Sequence, residues 1–200
     1  MKSKLMILGA SGHGKVIADI ARLAGYEEIA YLDDAPDTAV PTAGTVADHK
    51  RFLDSHDFIV AIGNNAIRER ITKMLKNSNA ALATLIHPAA TIGSNVTIGE
   101  GTVVMAGAVI NADASVGNGA IVNTCSSIDH DCTVGDFTHV SVGSRLAGTV
   151  TVGERTMIGA GAVVINNRSI CADCMIGAGA VVVENIKESG TYVGVPAKRK

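Results

Sequence analysis

The sequence predicts two parts: a small α/β, Rossmann-like N-terminal domain and a left-handed parallel β-helix of hexapeptide repeats. Three observations support this prediction. An aliphatic residue recurs at every sixth position over almost half of the chain, a glycine-rich turn follows the first apolar run, and no proline occurs between Pro88 and Pro196. The expected domains are 1–85 and 86–187, with a C-terminal tail at 188–200.

The hexad repeat runs from Ile86 to Val182. Steps of six give seventeen positions, all of them Ile, Val or Leu, and the position four residues further on is nearly always small. Because strand side chains alternate inward and outward, a period of six is typical of a short strand and a turn, and three hexads close one triangular coil. Seventeen hexads make about 5.7 coils, a column on the order of 27 Å tall. The alternative, a β-sandwich with accidental spacing, does not predict an unbroken run.

The first 85 residues alternate between short apolar runs and amphipathic segments. Their spacing predicts three strands and two helices, with a loop and a short helix at 35–54, where His49 is expected at the surface. In chain order the predicted elements are strand 4–10, helix 15–24, strand 29–32, strand 57–62 and helix 66–76. This order indicates a nucleotide-binding half-unit.

The turn after the first strand has the pattern Gly-x-x-Gly-x-Gly, formed by Gly9, Gly12 and Gly14. Glycines leave room for a phosphate at a helix N-terminus, and the acids after the second strand, Asp33 and Asp34, can accept from ribose hydroxyls. The spacing differs from the dinucleotide Gly-x-Gly-x-x-Gly, and about 85 residues form only half of a dinucleotide domain. A mononucleotide, such as the uridine part of a sugar nucleotide, therefore fits better than NAD. The alternative is a turn needed only for packing.

One region of the repeat differs from the rest in its polar side chains. His130 takes an outward-facing place in its hexad, flanked by Asp129 and Asp131, and His139 follows nine residues later. An exposed but rigidly held imidazole suits a general base, and an adjacent carboxylate can select its tautomer and stabilise its cation. The alternative is a surface histidine without a role.

The four cysteines point to no metal site. Cys132 takes an inward place near the histidine, so a role as a covalent nucleophile is disfavoured. Cys171 and Cys174 form a single Cys-x-x-Cys without a second pair, and Cys174 also faces inward, so packing is favoured over a zinc or redox role.

Composition narrows the classes of partner. The net charge is −2, aromatic residues are 3% and tryptophan is absent, which argues against nucleic acid and against an anionic membrane surface. The apolar run at 5–8 is too short for a signal peptide, so a cytoplasmic location and free thiols are expected.

Four motifs resemble a known family. They are Leu-Gly-Ala-Ser-Gly-His-Gly-Lys-Val, Tyr-Leu-Asp-Asp, Asn-Thr-Cys-Ser-Ser-Ile-Asp-His-Asp-Cys and the terminal Gly-Val-Pro-Ala-Lys. Together they resemble the sugar O/N-acetyltransferases of the sialic acid O-acetyltransferase group, in the hexapeptide-repeat acyltransferase superfamily. The closest likeness is to the UDP-4-amino-sugar N-acetyltransferases that make bacillosamine-type sugars.

The resemblance implies acetyl-CoA as co-substrate, a UDP-amino-sugar as acceptor, and a homotrimer with cofactor grooves between subunits. It implies His130 as the catalytic base beside Asp131, at a place where relatives often have Glu, and Asn123 near the acceptor. Acetyl-CoA would contact His139, the backbone near Gly143, Gly148, Ala160 and Ala178, and the tail with Lys198 and Arg199. The uridine nucleotide would contact Gly12, His13, Gly14, Asp33, Asp34 and Gly63.

Other functions remain open at the level of sequence. They are O-acetylation of a sugar such as sialic acid, transfer of a longer acyl chain from an acyl carrier protein, and a non-catalytic hexapeptide scaffold. A metal-dependent carbonic anhydrase of this fold needs three histidine ligands, whereas His130 and His139 are the only histidines deep in the repeat.

Overall fold

The computed structural model describes residues 3–200, and the chain divides into two compact units, the first ending at Pro88 and the second spanning Ala89–Lys200. The elements of the first unit are β1 (Lys4–Leu8), α1 (Gly12–Leu23), β2 (Glu28–Leu32), a 3₁₀ helix (Val46–Phe52), β3 (Asp57–Val60), α2 (Asn65–Asn77) and β4 (Leu85–Ile86). None of the helices described combines the length and apolar character needed to cross a bilayer.

The first unit is built on a three-stranded parallel sheet in the order β2-β1-β3. Its core packs Met6, Leu8, Leu32, Phe58 and Leu75, all of them buried. In a parallel sheet the carboxyl ends of the strands lie at one edge, so the turns after β1, β2 and β3 share that edge.

Two details of the first unit correct the sequence predictions. Helix α1 begins at Gly12, three residues before the predicted start, so His13 belongs to its first turn. His49 is only 4% exposed, although it was expected at the surface. Its ring nitrogens lie 3.0 Å from the Val46 carbonyl oxygen and 3.0 Å from the Ser78 hydroxyl, partners that polarity alone did not indicate.

The second unit is a parallel β-helix, which confirms the predicted fold class. Its strands are β5 (Thr91–Ile92), β6 (Thr97–Ile98), β7 (Val103–Val104), β8 (Val109–Ile110), β9 (Ser115–Val116), β10 (Ile121–Val122), β11 (Ser127–Ile128), β12 (Thr133–Val134), β13 (His139–Val140), β14 (Arg145–Leu146), β15 (Thr151–Val152), β16 (Met157–Ile158), β17 (Val163–Val164), β18 (Ser169–Ile170), β19 (Cys174–Ile176), β20 (Val181–Val182), β21 (Gly190–Val193) and β22 (Lys198–Arg199).

The strands after Pro88 form three walls. Wall 1 contains β7, β10, β13, β16, β19, β21 and β22; wall 2 contains β5, β8, β11, β14, β17 and β20; wall 3 contains β6, β9, β12, β15 and β18. From β5 to β20 each strand pairs in parallel with the strand eighteen residues away, as Ile121 does with His139, whereas β21 pairs with β19 at a spacing of sixteen residues and β22 pairs antiparallel with β21. From Val104 onward the hexad aliphatics point inward and are buried. Each hexad therefore supplies one strand to one wall, and three successive hexads make one coil.

The corners between walls share one backbone conformation. The fourth residue of each hexad from Asn95 to Gly179 has a positive φ, and nine of these fifteen residues are not glycine. At Asp131, for example, φ is 59°, and its N–H donates to the Ala112 carbonyl oxygen of the previous coil at 3.1 Å. Asp tolerates this left-handed region better than most residues do. The corners are therefore rigid supports for the side chains that they display.

Candidate active site

The corner between walls 2 and 3 carries the predicted histidine. Nδ1 of His130 lies 2.7 Å from Oδ2 of Asp131, and both side chains are more than half exposed, at 59% and 56%. Asp131 has a left-handed backbone, with φ of 59°, and its short side chain reaches the ring. This hydrogen bond raises the pKa of His130 above its ordinary value. A carboxylate at Nδ1 holds a proton there and leaves Nε2 as the basic nitrogen.

A second carboxylate supports the same histidine through the backbone. The His130 N–H donates to Oδ1 of Asp129 at 2.8 Å, and the side-chain amide of Asn111, one coil earlier, donates to the same oxygen at 2.7 Å. The bond from Asn111, followed by the one from the His130 backbone, lowers the pKa of Asp129. Asn111 was not predicted from the sequence, although its spacing of eighteen residues from Asp129 is one coil.

Gly148 lies directly beside the imidazole. A Cβ at this position would lie 2.6 Å from Nε2 of His130, so only glycine leaves the ring in its place. The basic nitrogen opens toward a pocket of about 450 Å³ lined by Asp129, His130, Ala147, Gly148, Thr149, Asn166 and Asn167. Asn166 and Asn167 were not predicted, because asparagine at a turn ordinarily indicates only the turn.

Asn123 was predicted near the acceptor and His139 near acetyl-CoA. These two residues contact each other at a different place on the β-helix from His130. The Asn123 amide nitrogen lies 3.0 Å from Nε2 of His139, and the Asn123 amide oxygen accepts from the Thr124 N–H at 2.8 Å. With that oxygen engaged, the amide N–H₂ donates to Nε2, so the proton of a neutral His139 is on Nδ1. His139 is 7% exposed on wall 1, and Asn123 is at the corner between walls 1 and 2.

The structure therefore keeps the predicted catalytic pair His130 and Asp131 together and places Asn123, predicted near the acceptor, at another corner of the same chain. Asn123 precedes β11 and His130 follows it, so the two residues lie at opposite ends of wall 2. Gly143, Ala160 and Ala178 lie on the corner of Asn123, whereas Gly148 lies on the corner of His130.

The predicted phosphate contacts of the tail lie on β22. Lys198 is exposed, and its ammonium lies 3.8 Å from a Glu184 carboxylate oxygen. Arg199 is also exposed and pairs with Glu188. Strands β21 and β22 extend wall 1 beyond the hexads.

In the first unit, the glycines of the predicted nucleotide site play two different parts. A Cβ at Gly14 would lie 2.2 Å from the Gly9 carbonyl oxygen, so Gly14 is required for helix–strand packing. A Cβ at Gly12 or Gly63 would meet nothing within 4 Å. Packing therefore explains why glycine is needed at position 14 only, whereas the space beside Gly12 and Gly63 is open.

The two acids after β2 also differ. Both oxygens of Asp33 are engaged, Oδ2 by the Ala10 N–H at 2.6 Å and Oδ1 by the Ala35 N–H at 2.9 Å. Asp34 is exposed, and the Val46 N–H donates to its Oδ1 at 2.9 Å. Asp33 thus joins the turns after β1 and β2, while Asp34 presents its carboxylate to solvent.

His13 lies in the first turn of α1 beside a buried cation. Its Nε2 is buried and makes no hydrogen bond. Burial, and then the positive charge of Arg68, lower the pKa of His13 to about 4, so the ring is neutral at pH 7. Arg68 is 1% exposed and donates to the carbonyl oxygens of Ile62 and Gly63 at 2.9 and 3.3 Å. Arg68 was not predicted from the sequence, because an arginine on a helix is usually solvated.

Among residues 3–200, no group of three or more His, Cys, Asp or Glu side chains is placed to hold a metal ion.

Comparisons with known proteins agree with this architecture. Residues 4–75 match the family model of the PglD N-terminal domain. The chain is 40% identical to the acetyltransferase domain of PglB from Neisseria gonorrhoeae FA1090, with a TM-score of 0.95 and all of both chains covered; that domain has also been solved in complex with acetyl coenzyme A. It is 39% identical to PerB from Caulobacter crescentus, solved with CoA and GDP-perosamine, with a TM-score of 0.94 and 98% of this chain and 97% of that chain covered.

A curated relative is UDP-N-acetylbacillosamine N-acetyltransferase of Bacillus subtilis (strain 168). It is 37% identical over 109 residues, and the match spans 50% of this chain and 50% of that protein. The comparisons place the chain among acetyltransferases built on a parallel β-helix. Within that class, it belongs to the family of bacillosamine-type N-acetyltransferases, as its motifs predicted.

Proposed function

We propose that this chain transfers the acetyl group of acetyl-CoA to the 4-amino group of a UDP-linked amino-dideoxy sugar, with His130 as the general base. The observation that carries the proposal is the exposed His130–Asp131 pair, whose hydrogen bond at Nδ1 leaves Nε2 basic and facing a pocket. The amine nitrogen attacks the thioester carbonyl carbon, and its proton passes to Nε2. When the carbon–sulfur bond breaks, the same proton can pass to the departing sulfur.

The relatives support the choice of substrates. The PglB domain has been solved with acetyl coenzyme A, and the Bacillus subtilis relative is by its name an N-acetyltransferase of UDP-N-acetylbacillosamine. PerB binds GDP-perosamine, so members of this structural class differ in their nucleotide base. These relatives favour transfer to nitrogen over O-acetylation. They also favour an active enzyme over a non-catalytic scaffold.

The open turn at the carboxyl edge of the first unit is the proposed nucleotide site. Gly12 and Gly63 leave space, Asp34 offers a carboxylate, and the N-terminus of α1 offers N–H groups for phosphate. His13, neutral beside Arg68, can donate or accept a hydrogen bond there without adding a charge.

We also propose a homotrimer in which the corner of His130 in one subunit faces the corner of Asn123 and His139 in the next. One chain holds these two groups at opposite ends of wall 2, so a single chain cannot bring both to one thioester. The outward side chains of the wall 3 strands all carry a hydroxyl group, whereas those of wall 2 include three valines. Wall 2 is therefore the more suitable surface for contact with a second copy of the chain. The wall 3 set is Thr97, Ser115, Thr133, Thr151 and Ser169, and the wall 2 valines are Val109, Val163 and Val181.

A substrate panel tests the proposal. Acetyl-CoA is supplied with UDP-4-amino sugars, GDP-4-amino sugars or sialic acid, and thiol release and the mass of the product are measured. We expect turnover with a UDP-4-amino sugar, and a loss of about 10²–10⁴-fold in kcat for His130→Ala. Wild-type rates in His130→Ala would refute the general-base role, and turnover with sialic acid alone would replace N- by O-acetylation.

The cytoplasmic location expected from the sequence stays a prediction.

A further inference from the structure

The last corner between walls 3 and 1 holds two thiols in contact. The Sγ atoms of Cys171 and Cys174 lie 3.5 Å apart, and both cysteines are free. Cys174 is 3% exposed in its inward place, and Cys171 is half-buried at the turn. The sequence favoured a packing role for this pair, since a Cys-x-x-Cys does not by itself show which way its sulfurs point.

The backbone around the pair is held from several sides. The hydroxyl of Thr156 donates to the Cys171 carbonyl oxygen at 3.0 Å and accepts from the Cys174 N–H at 3.1 Å, so it bridges both cysteines. Between them, Asp173 adopts φ of 59°, and its carboxylate oxygens accept from Arg155 at 2.8 and 2.9 Å. The two sulfurs therefore meet because the corner is built this way, and no segment has to move to bring them together.

We propose that Cys171 and Cys174 form a modification site for two-electron thiol oxidants, at which a low-molecular-weight disulfide converts the two thiols into one protein disulfide. The Cys171 thiolate attacks the small disulfide, forms a mixed disulfide and releases one small thiolate. The Cys174 sulfur then attacks Sγ of Cys171 and releases the second. The two thiol protons pass to the released thiolates, so the protein loses two electrons and the small disulfide gains them.

The order of attack follows from exposure. Cys171 is the more exposed of the two residues, since it is half-buried whereas Cys174 is 3% exposed, and burial, followed by the neighbouring Cys171 thiol, raises the pKa of Cys174. An accessible attacking thiol and a buried resolving thiol are the arrangement that a Cys-x-x-Cys exchange requires. Cys125 offers the contrast within the same chain, because it is exposed and its sulfur has no second cysteine in contact among the residues described.

Peptide mass mapping tests the site. The full chain is incubated with glutathione disulfide, remaining thiols are alkylated, and trypsin cleavage after Arg168 and Lys187 gives the peptide 169–187, which contains both cysteines and no other. We expect most of this peptide to lose two hydrogens and to carry neither alkyl group nor glutathione. Cys125, in contrast, should retain a glutathione adduct.

The variant Cys174→Ser provides the matched control. Without a resolving thiol, Cys171 should keep a stable glutathione adduct in place of the internal disulfide. A wild-type peptide that stays reduced, or that carries a stable adduct on Cys171, overturns the proposal. The wild-type measurement decides the question even where the variant folds poorly, and it does not depend on the acetyltransferase activity.

Discussion

The basic nitrogen of His130 lies in the space that a side chain at Gly148 would fill, with only 2.6 Å between Nε2 and the position of a Cβ at residue 148. These residues are eighteen apart, so they occupy the same corner in successive coils. The orientation of the proposed base therefore depends on its partner Asp131 and also on the absence of a side chain one coil further along.

Gly148→Ala should accordingly lower activity without unfolding the protein. The added methyl displaces an exposed, rotatable ring, so the free energy of unfolding should change by less than about 1 kcal/mol. A displacement of the base by about 1 Å is enough to lower kcat on the order of 10²-fold. Steady-state kinetics and urea unfolding measure the two effects.

Gly153→Ala is the contrasting variant. A Cβ there would lie 2.4 Å from the Ala172 backbone nitrogen, which cannot swing aside, so we expect a loss of more than about 2 kcal/mol of stability. Equal destabilisation by the two substitutions would contradict this account of Gly148.

Asp131→Asn should shift the pH profile of kcat/KM toward acid. The base acts when neutral, so activity falls as pH drops through the pKa of His130. Asp131 raises that pKa. Removing its charge lowers the pKa, moves the acid limb to lower pH, and also lowers the plateau because the imidazolium is less stabilised.

Asp113→Asn is the control for that experiment. Asp113 occupies the same corner place one coil earlier, with φ of 60°, and accepts from the Asn95 amide. The pH profile of Asp113→Asn should match that of the wild type. An acid limb that does not move in Asp131→Asn would show that Asp131 does not influence the pKa of the catalytic base.

Mixed assemblies should test whether two subunits share one site. His130→Ala and Asn123→Ala alter opposite ends of wall 2 and should each be nearly inactive. In trimers assembled at random from equal amounts of both, about a quarter of the sites combine an intact His130 with an intact Asn123. Activity should recover to that extent, measured on hybrids isolated by two different tags.

Mixing His130→Ala with Asp131→Ala should restore nothing, since both residues belong to the same corner of the same chain. Hybrids of His130→Ala and Asn123→Ala without activity would count against a shared site.

Asp33→Asn and Asp34→Asn should fail in different ways. Asp33 accepts two backbone N–H groups, and an amide keeps only one acceptor, so we expect a loss of about 1–3 kcal/mol of stability. Asp34→Asn should leave stability within about 0.5 kcal/mol and raise the KM for the sugar nucleotide several-fold, with the KM for acetyl-CoA unchanged. Thermal unfolding and substrate titrations distinguish the two variants. A destabilised Asp34→Asn with an unchanged KM would reverse the assignment.

The repeat is evident in the amino-acid sequence alone, because burial at every sixth residue requires an aliphatic residue at each inward place. The sequence also located the carboxylate beside His130, since adjacent residues at a corner need no tertiary contact to meet. The glycine-rich turn was readable for the same reason, although α1 starts earlier than its periodicity indicated.

Contacts between coils and between strands could not be predicted from the sequence and depend on the folded chain. The contact of His130 with Gly148, the pairing of Asn123 with His139, the support of Asp129 by Asn111, and the bond from the Ala10 N–H to Asp33 all join residues that are distant in sequence. Periodicity shows which side chains face inward or outward. Which of them meet depends on how the corners stack and on backbone dihedral angles that no local pattern specifies.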